Sequence, residues 1–385
     1  MNAEDSISLE EGVYHVRPGQ SIQEALNLAA KTEHKHVVVH SGTYRPTKAS
    51  QALIYFNQRH DGITLEAKGE VTLTAANPEI ADRTAASFPA VVNHVVYFGD
   101  GVGRDTVLRG FKISDANNYV TDAEDKESME PNFEALKKTE GFYGCLFFYT
   151  DGGGIKIFGR SYPTLDRLEI VDCFANPCGG AISIEHRGFI EDSVLITNSI
   201  FRNNRSLVTG SAVDLLPRSS AVLQNCLFVG NVSNTGLKYE TVQGNIDWPK
   251  IPELMKTTLS YQPKHGSGAL TVFYGSRIGV RRCTFTGNFN GADDRAAISA
   301  YVDSIFWDNK AEGGKRTGAR YELDVAKGQH IRGCFVGGGI SDLRGTLDPA
   351  KNRLDCDDPR FNEYFVPQNP AFSKVGYRPV TASFR

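Results

Sequence analysis

Apolar and polar positions alternate with a period of two over short stretches of this chain, and those stretches recur in register. The pattern apolar-x-x-small or apolar-x-apolar appears as Leu108/Phe111/Ile113, Leu165/Leu168/Ile170, Ile196/Ser199/Phe201, Leu223/Cys226/Phe228, Val280/Cys283/Phe285, Tyr301/Ser304/Phe306 and Ile331/Cys334/Val336. The central positions lie 57, 31, 27, 57, 21 and 30 residues apart. Alternation is strand periodicity, Gly, Ser and Asn punctuate the turns, and no helical period persists through the repeats. A unit of about 20 to 30 residues built from short strands predicts an all-β solenoid, a parallel β-helix whose coils bury a continuous core only when stacked. Each interval of 57 reads as one unit plus an insertion.

One helix stands outside this pattern. Ser21-Ile22-Gln23-Glu24 has the spacing of a capping box, and Ala25, Leu26, Ala29 and Ala30 follow on one face. Val37-Val38-Val39 and a turn at Gly42 come next, so the helix is expected to plug the exposed end of the first coil, where strand edges would otherwise stay open. Ile63-Thr64-Leu65, Val71-Thr72-Leu73 and Val95-Val96-Tyr97-Phe98 read as strands of early coils. Gly99-Asp100-Gly101-Val102-Gly103 is glycine-rich, but a strand rather than a helix follows it, which argues against a nucleotide loop.

The stretch from Val16 to Leu26 with Val37 to Tyr44 resembles the N-terminal cap of bacterial right-handed parallel β-helix proteins of the pectate-lyase-like superfamily. Gly152-Gly153-Gly154-Ile155, Ser161-Tyr162-Pro163-Thr164-Leu165 and Gly179-Gly180-Ala181-Ile182 are similar to their repeat. Asp358-Pro359-Arg360-Phe361, Asn369-Pro370-Ala371-Phe372 and Gly376 are similar to their closing segment. The resemblance implies a single right-handed β-helix over residues 1–385, with a cap at 14–45 and a closing segment at 355–385. It also implies a periplasmic or secreted setting and an acidic polysaccharide or oligosaccharide as partner. Activity is less constrained, since lyases, hydrolases, esterases, epimerases and silent members share the fold. The paired-aspartate and Gly-His signatures of polygalacturonase-like hydrolases are absent, as are the Trp-Ile-Asp-His and Arg-x-Pro-x-x-Arg signatures of pectate lyases.

Composition narrows the partners. A net charge of −3 and the lack of a basic stripe with interleaved aromatics argue against nucleic acid. The first twenty residues are mixed and acidic, unlike a signal peptide, and no run is long enough to cross a membrane. Seven cysteines without metal spacing argue against a disulfide framework or a zinc site. Cys226, Cys283 and Cys334 share one repeat position and are expected to stack inward as small buried side chains, whereas Cys173 and Cys178 would pair only if their turn allowed it.

The insertions at 117–149 and 232–265 are expected to leave the same edge of the solenoid and to wall a cleft about 15 Å wide, three coils at strand spacing. The second carries Tyr239, Trp248 and Tyr261. Alternation on the intervening strands places Lys156, Ser183, Asp214 and Thr271 in one outward row and Phe158, Glu185, Leu216 and Phe273 in the next. Arg160, His186, Arg187, Arg218 and Tyr274 follow at the adjoining turn.

These residues suit β-elimination on a uronate polymer: Lys156, Arg187 and Arg218 would neutralise the carboxylate while His186 or Tyr274 moves the proton. Arg160, Phe158, Phe273, Tyr239, Trp248 and Tyr261 would bind the sugars. Glu185 and Asp214, diagonal neighbours in adjacent coils, would serve an inverting hydrolase instead. A binding or structural protein is the third reading, with the aromatics stacking on sugars. No cofactor is required. Asp293-Asp294 with Asp303 and Asp308 is the densest acidic group, the place for calcium if any is bound.

Overall fold

The structure, a computed structural model, describes residues 6–119, 151–176, 178–233, 268–310, 321–325, 330–337, 343–344, 347–354 and 356–380. The insertions, apart from residues 117–119 and 232–233, lie outside the described residues, and so do Tyr239, Trp248 and Tyr261.

The chain is a parallel β-helix. Three short strands make one coil: Ile155–Phe158, Thr164–Asp166 and Glu169–Val171, then Ile182–Glu185, Val194–Thr197 and Ile200–Arg202, then Val213–Leu215, Ser220–Gln224 and Leu227–Val229. Each strand pairs in parallel with its counterpart one coil on, which creates three sheet faces. The repeat read from the sequence is the register: Leu108 lies opposite Leu165, which lies opposite Ile196, then Leu223, Val280, Tyr301 and Ile331. No helix among the described residues is long and apolar enough to cross a membrane.

Stacking like on like builds the core. Phe201, Phe228, Phe285 and Phe306 form a column with ring centroids 4.7, 4.3 and 4.7 Å apart and nearly parallel planes. Just before each central repeat position the chain turns a corner through a left-handed residue, among them Gly110, Arg167, Asn198, Asn225, Arg282, Asp303 and Gly333. At Ser199, Cys283 and Ser304 the side chain after the corner accepts a main-chain N–H from the preceding coil. Leu168 N–H donates to Ser199 Oγ at 3.1 Å, Cys226 N–H to Cys283 Sγ at 3.4 Å and Cys283 N–H to Ser304 Oγ at 3.2 Å. Cys226, Cys283 and Cys334 are buried as expected, and Cys283 acts as an acceptor as well as apolar filler, the role that serine takes at 199 and 304.

A second corner carries an asparagine ladder. Asn204 Nδ2 donates to Asn231 Oδ1 at 3.0 Å, Asn231 to Asn288 at 2.9 Å and Asn288 to Asn309 at 2.7 Å, and Glu322 accepts from Asn309 N–H at 3.0 Å at the far end.

The first coil is plugged by the helix Ile22–Ala30, whose Ile22, Ala25, Leu26 and Ala29 join the core. Ser21 Oγ accepts from Glu24 N–H at 3.2 Å, so the Ser half of the capping box forms. The C-terminal segment does more than close the last coil. Phe372 and Val375 pack on Ile305, Gly376 N–H donates to Asp303 C=O at 2.8 Å, Tyr377 N–H to Thr284 Oγ1 at 2.9 Å and Arg378 N–H to Asn225 Oδ1 at 2.8 Å. It runs back down the outside of the third face as a strap across successive coils.

Candidate functional site

The nine-stranded face carries the predicted outward row in the predicted register. Tyr55, Tyr97, Lys156, Ser183, Asp214, Thr271, Asp293 and Asp324 lie side by side, one per coil. The row was expected to floor an open cleft, and here the structure differs: Lys156, Ser183 and Asp214 are fully buried. Over Ser183 and Asp214 lies the glycine turn before the strand. Gly152, Gly179 and Gly210 have φ of 76°, 64° and 55° and fold the chain back over the row. A β-carbon on Gly179 would lie 2.8 Å from Ser183 Cβ, and one on Gly210 2.5 Å from Asp214 Cβ. Side chains under these turns meet protein rather than solvent.

Burial changes the chemistry available to each candidate. Lys156 Nζ donates to Glu185 Oε2 at 2.6 Å and lies 3.4 Å from Ser183 Oγ. The other carboxylate oxygen of Glu185 is 2.6 Å from Arg187 Nε. Glu185 is thus gripped by two cations, and Lys156 already has its counter-ion. Asp214 Oδ2 lies 3.2 Å from Thr209 Oγ1, which is 2.8 Å from Cys178 Sγ. The Cys178 thiol carries a proton of its own, so it can donate to Thr209 Oγ1 while Thr209 donates to Asp214. Desolvation pushes the Asp214 carboxyl up to about 7. Desolvation likewise raises Asp151, whose Oδ1 accepts from Cys178 N–H at 3.2 Å, and nearby Lys156 only partly offsets it. The hydrolase pair Glu185 and Asp214 is therefore ion-paired in one member and roofed by a turn in the other. Cys173 and Cys178 are both free thiols.

His186 is engaged on both ring nitrogens. Nδ1 accepts from Ser220 N–H at 3.1 Å, so Nε2 carries the proton and donates to Ser161 C=O at 2.9 Å. The ring bridges neighbouring coils and has no nitrogen left to take a substrate proton. Desolvation brings its pKa down to about 4.

Asp293 and Asp294 project to opposite faces, as adjacent strand residues must. Asp293 Oδ2 accepts from Tyr321 O–H at 3.0 Å on the outer side, whereas Asp294 Oδ2 accepts from Tyr301 O–H at 2.9 Å within the core. The geometry separates the two carboxylates of the anticipated calcium site, and among the described residues no group of three or more His, Cys, Asp or Glu side chains is placed to hold a metal.

The exposed chemistry lies at the turn after these strands. Gly159 N–H donates to Glu185 C=O, Gly188 N–H to Arg218 C=O and Arg218 N–H to Tyr274 C=O, which aligns Arg160, Arg187, Arg218 and Gly275 in one column. Arg160 lies 3.9 Å from the Phe189 ring and 3.6 Å from the Asp100 carboxylate. Arg187 reaches over Phe158, which is buried. Arg218 extends across Gly275, where a β-carbon would lie 2.8 Å from Arg218 Cγ, and it has no ion-pair partner among the described residues. Tyr274 beside it is 66% exposed, and Phe273 is half-buried.

Residue-by-residue reading of the sequence missed Asp151, Thr209 and Asp100. A signal for the first two was present: Asp151, Cys178 and Thr209 each stand immediately before the glycine of the repeat, so they stack as a set. No family model matches this chain, and a search of curated proteins finds no match to it.

Proposed function

We propose that this protein binds an acidic polysaccharide along the column Arg160, Arg187 and Arg218 and cleaves it by β-elimination. The observation that carries this reading is the column itself: one guanidinium per coil on an exposed edge, at the strand spacing of about 4.8 Å, with Arg218 free of any carboxylate among the described residues. Three such groups span about 10 Å, a length comparable with two sugar units, and guanidinium forks suit carboxylates. Phe273 and Tyr274 add aromatic surface beside the column. The likeness of the cap and closing segments to the pectate-lyase-like superfamily points the same way.

In this reading Arg218, with Arg187 beside it, neutralises the uronate carboxylate and so stabilises the enolate that forms when the proton alpha to it is lost. The Tyr274 phenol oxygen takes that proton as its own passes to solvent. The electron pair forms the carbon–carbon double bond, and the glycosidic oxygen leaves, taking a proton from solvent. Lys156 and His186 have no part in the step, since their polar atoms are already engaged inside the fold.

Incubation with a panel of uronate polymers tests the proposal through ultraviolet absorbance of the unsaturated product. We expect turnover that Arg218→Ala or Tyr274→Phe lowers about a hundredfold or more, with the melting temperature unchanged. New reducing ends without absorbance would show hydrolysis. Retention on an affinity gel with neither product would leave a binding protein.

A further inference from the structure

His15, His36 and His40 face outward on the first coils, and two of them meet. His15 lies on the strand Val13–Val16, which pairs in parallel with His36–Tyr44 so that His15 stands opposite Val38. His40 is two residues further along the same face. Its Nε2 is 3.0 Å from His15 Nδ1, with the ring centroids 5.2 Å apart and the planes tilted by 43°. The ladder to the next strand, Thr64–Thr74, changes register just past His40, a break of the kind that re-aims a side chain. Both rings are half-buried. His36 is engaged elsewhere, with Nε2 3.3 Å from the Glu66 carboxylate.

Glu10 stands beside this pair, on the strand Ser8–Glu10 that runs antiparallel to Val13–Val16. Its exposed carboxyl is held below the usual range first by the Ser8 hydroxyl, which donates at 2.8 Å, and further by the charges of His15 and Arg17. The remaining charges on this face are Arg17, 3.6 Å from Glu10, and the exposed Lys68, opposite His40. Desolvation, then the charges of His15, Arg17 and Lys68, hold His40 below its ordinary value against the pull of Glu10. The His40 imidazole therefore stays neutral and keeps a lone pair to give.

We propose that His15 Nδ1 and His40 Nε2 bind a divalent zinc ion, with the Glu10 carboxylate as third ligand and water completing the coordination. Two facing imidazole nitrogens 3.0 Å apart share one proton, and the ion takes that proton's place. A tetrahedral ion with Zn–N bonds of about 2.0–2.1 Å sets two nitrogens about 3.3 Å apart, so the pair opens by roughly 0.3 Å as the rings tilt. Glu10 joins them by turning from Ser8 and Arg17, a rotation at an exposed position. Imidazole with one carboxylate suits zinc, whereas calcium and magnesium take oxygen sets. The ion ties the strand Ser8–Glu10 to the first coils at the capped end of the solenoid, so binding stabilises the folded chain. The site lies outside the arginine column and does not depend on the reaction proposed there.

Calorimetric titration of the full chain with zinc chloride tests the site. One equivalent is expected to bind, to shift the imidazole NMR signals of two of the nine histidines and to raise the melting temperature. His15→Gln or His40→Gln should weaken binding about tenfold or more, and His36→Gln should leave it unchanged. Glu10→Gln should weaken it, whereas Arg17→Ala, which frees Glu10, should tighten it. Binding should fall away below about pH 6.5, where imidazoles take up protons. The imidazole signals of the unaltered chain keep the test independent of whether each variant folds. Failure to bind zinc, zinc bound without a shift of any imidazole signal, or binding that survives His15→Gln and His40→Gln but is lost in His36→Gln each overturns the proposal.

Discussion

Gly210 holds a left-handed φ of 55° directly against Asp214, and the two residues show how single positions decide what this surface can do. Any side chain at 210 meets both backbone strain and the Asp214 β-carbon, so Gly210→Ala is expected to cost about 2–4 kcal/mol, measured by urea unfolding. The buried titratable groups make a second prediction with opposite signs. His186 falls from its ordinary 6.5 to about 4 in the folded chain. Between those values the unfolded chain takes up a proton that the folded chain refuses, so stability present above pH 6.5 is lost as pH falls to about 4, by about 3 kcal/mol. His186→Gln, which keeps an acceptor and a donor, should flatten that slope. Asp214 is raised from 3.8 to about 7, so its contribution is complete below pH 3.8 and fades as pH rises through 7. Asp214→Asn should therefore stabilise the protein at pH 7 and leave turnover unchanged, whereas lost turnover at full stability would restore Asp214 as a catalyst.

Between residue and molecule the working unit is the ladder that runs perpendicular to the strands. Asn231 Oδ1 accepts from both Asn204 N–H and Asn204 Nδ2 at 3.0 Å, and its own Nδ2 donates to Phe201 C=O at 2.9 Å. Asn231→Ala leaves buried donors and an acceptor unpaired on two coils, and the expected loss is about 2–4 kcal/mol. Phe228, stacked between Phe201 and Phe285, should lose only about 1–2 kcal/mol on change to leucine. Comparing the two variants by urea unfolding separates hydrogen-bond continuity from apolar filling as the source of coil-to-coil cohesion. A larger loss at Phe228 would reverse that ranking.

Across the whole molecule, the strap of residues 356–380 links coils that otherwise touch only their neighbours. It carries Phe372, Val375, Gly376, Tyr377 and Arg378 onto Ile305, Asp303, Thr284 and Asn225. Solenoid stability is approximately a sum over coils and their interfaces, so a segment that spans several coils couples their unfolding. Ending the chain after residue 355 should expose the apolar patch at Ile305 and Phe335 and broaden the thermal transition. Calorimetry and a dye that binds exposed apolar surface would check this, and an unchanged, sharp transition would show the strap to be incidental.

Much of the fold was legible along the chain because a β-helix repeats its contacts. Leu108, Leu165 and Ile196 occupy one repeat position and meet in space, as do Asn204, Asn231, Asn288 and Asn309. The outward row Lys156, Ser183 and Asp214 was legible for the same reason, since alternation assigns faces wherever strands are regular. Exposure was not legible. Whether the glycine before each strand turns away from the row or folds over it depends on a φ sign that polar spacing does not encode, and that sign buried Asp214. The alignment of Arg160, Arg187 and Arg218 was legible too, since each stands four residues after Lys156, Ser183 and Asp214, but the sequence did not reveal that His186 spends both nitrogens on backbone in adjacent coils. Sequence alone determined which residues repeat and therefore which stack. Tertiary structure alone decided which of the stacked polar groups still face solvent, because the turns that cover them carry no hydrophobic period to read.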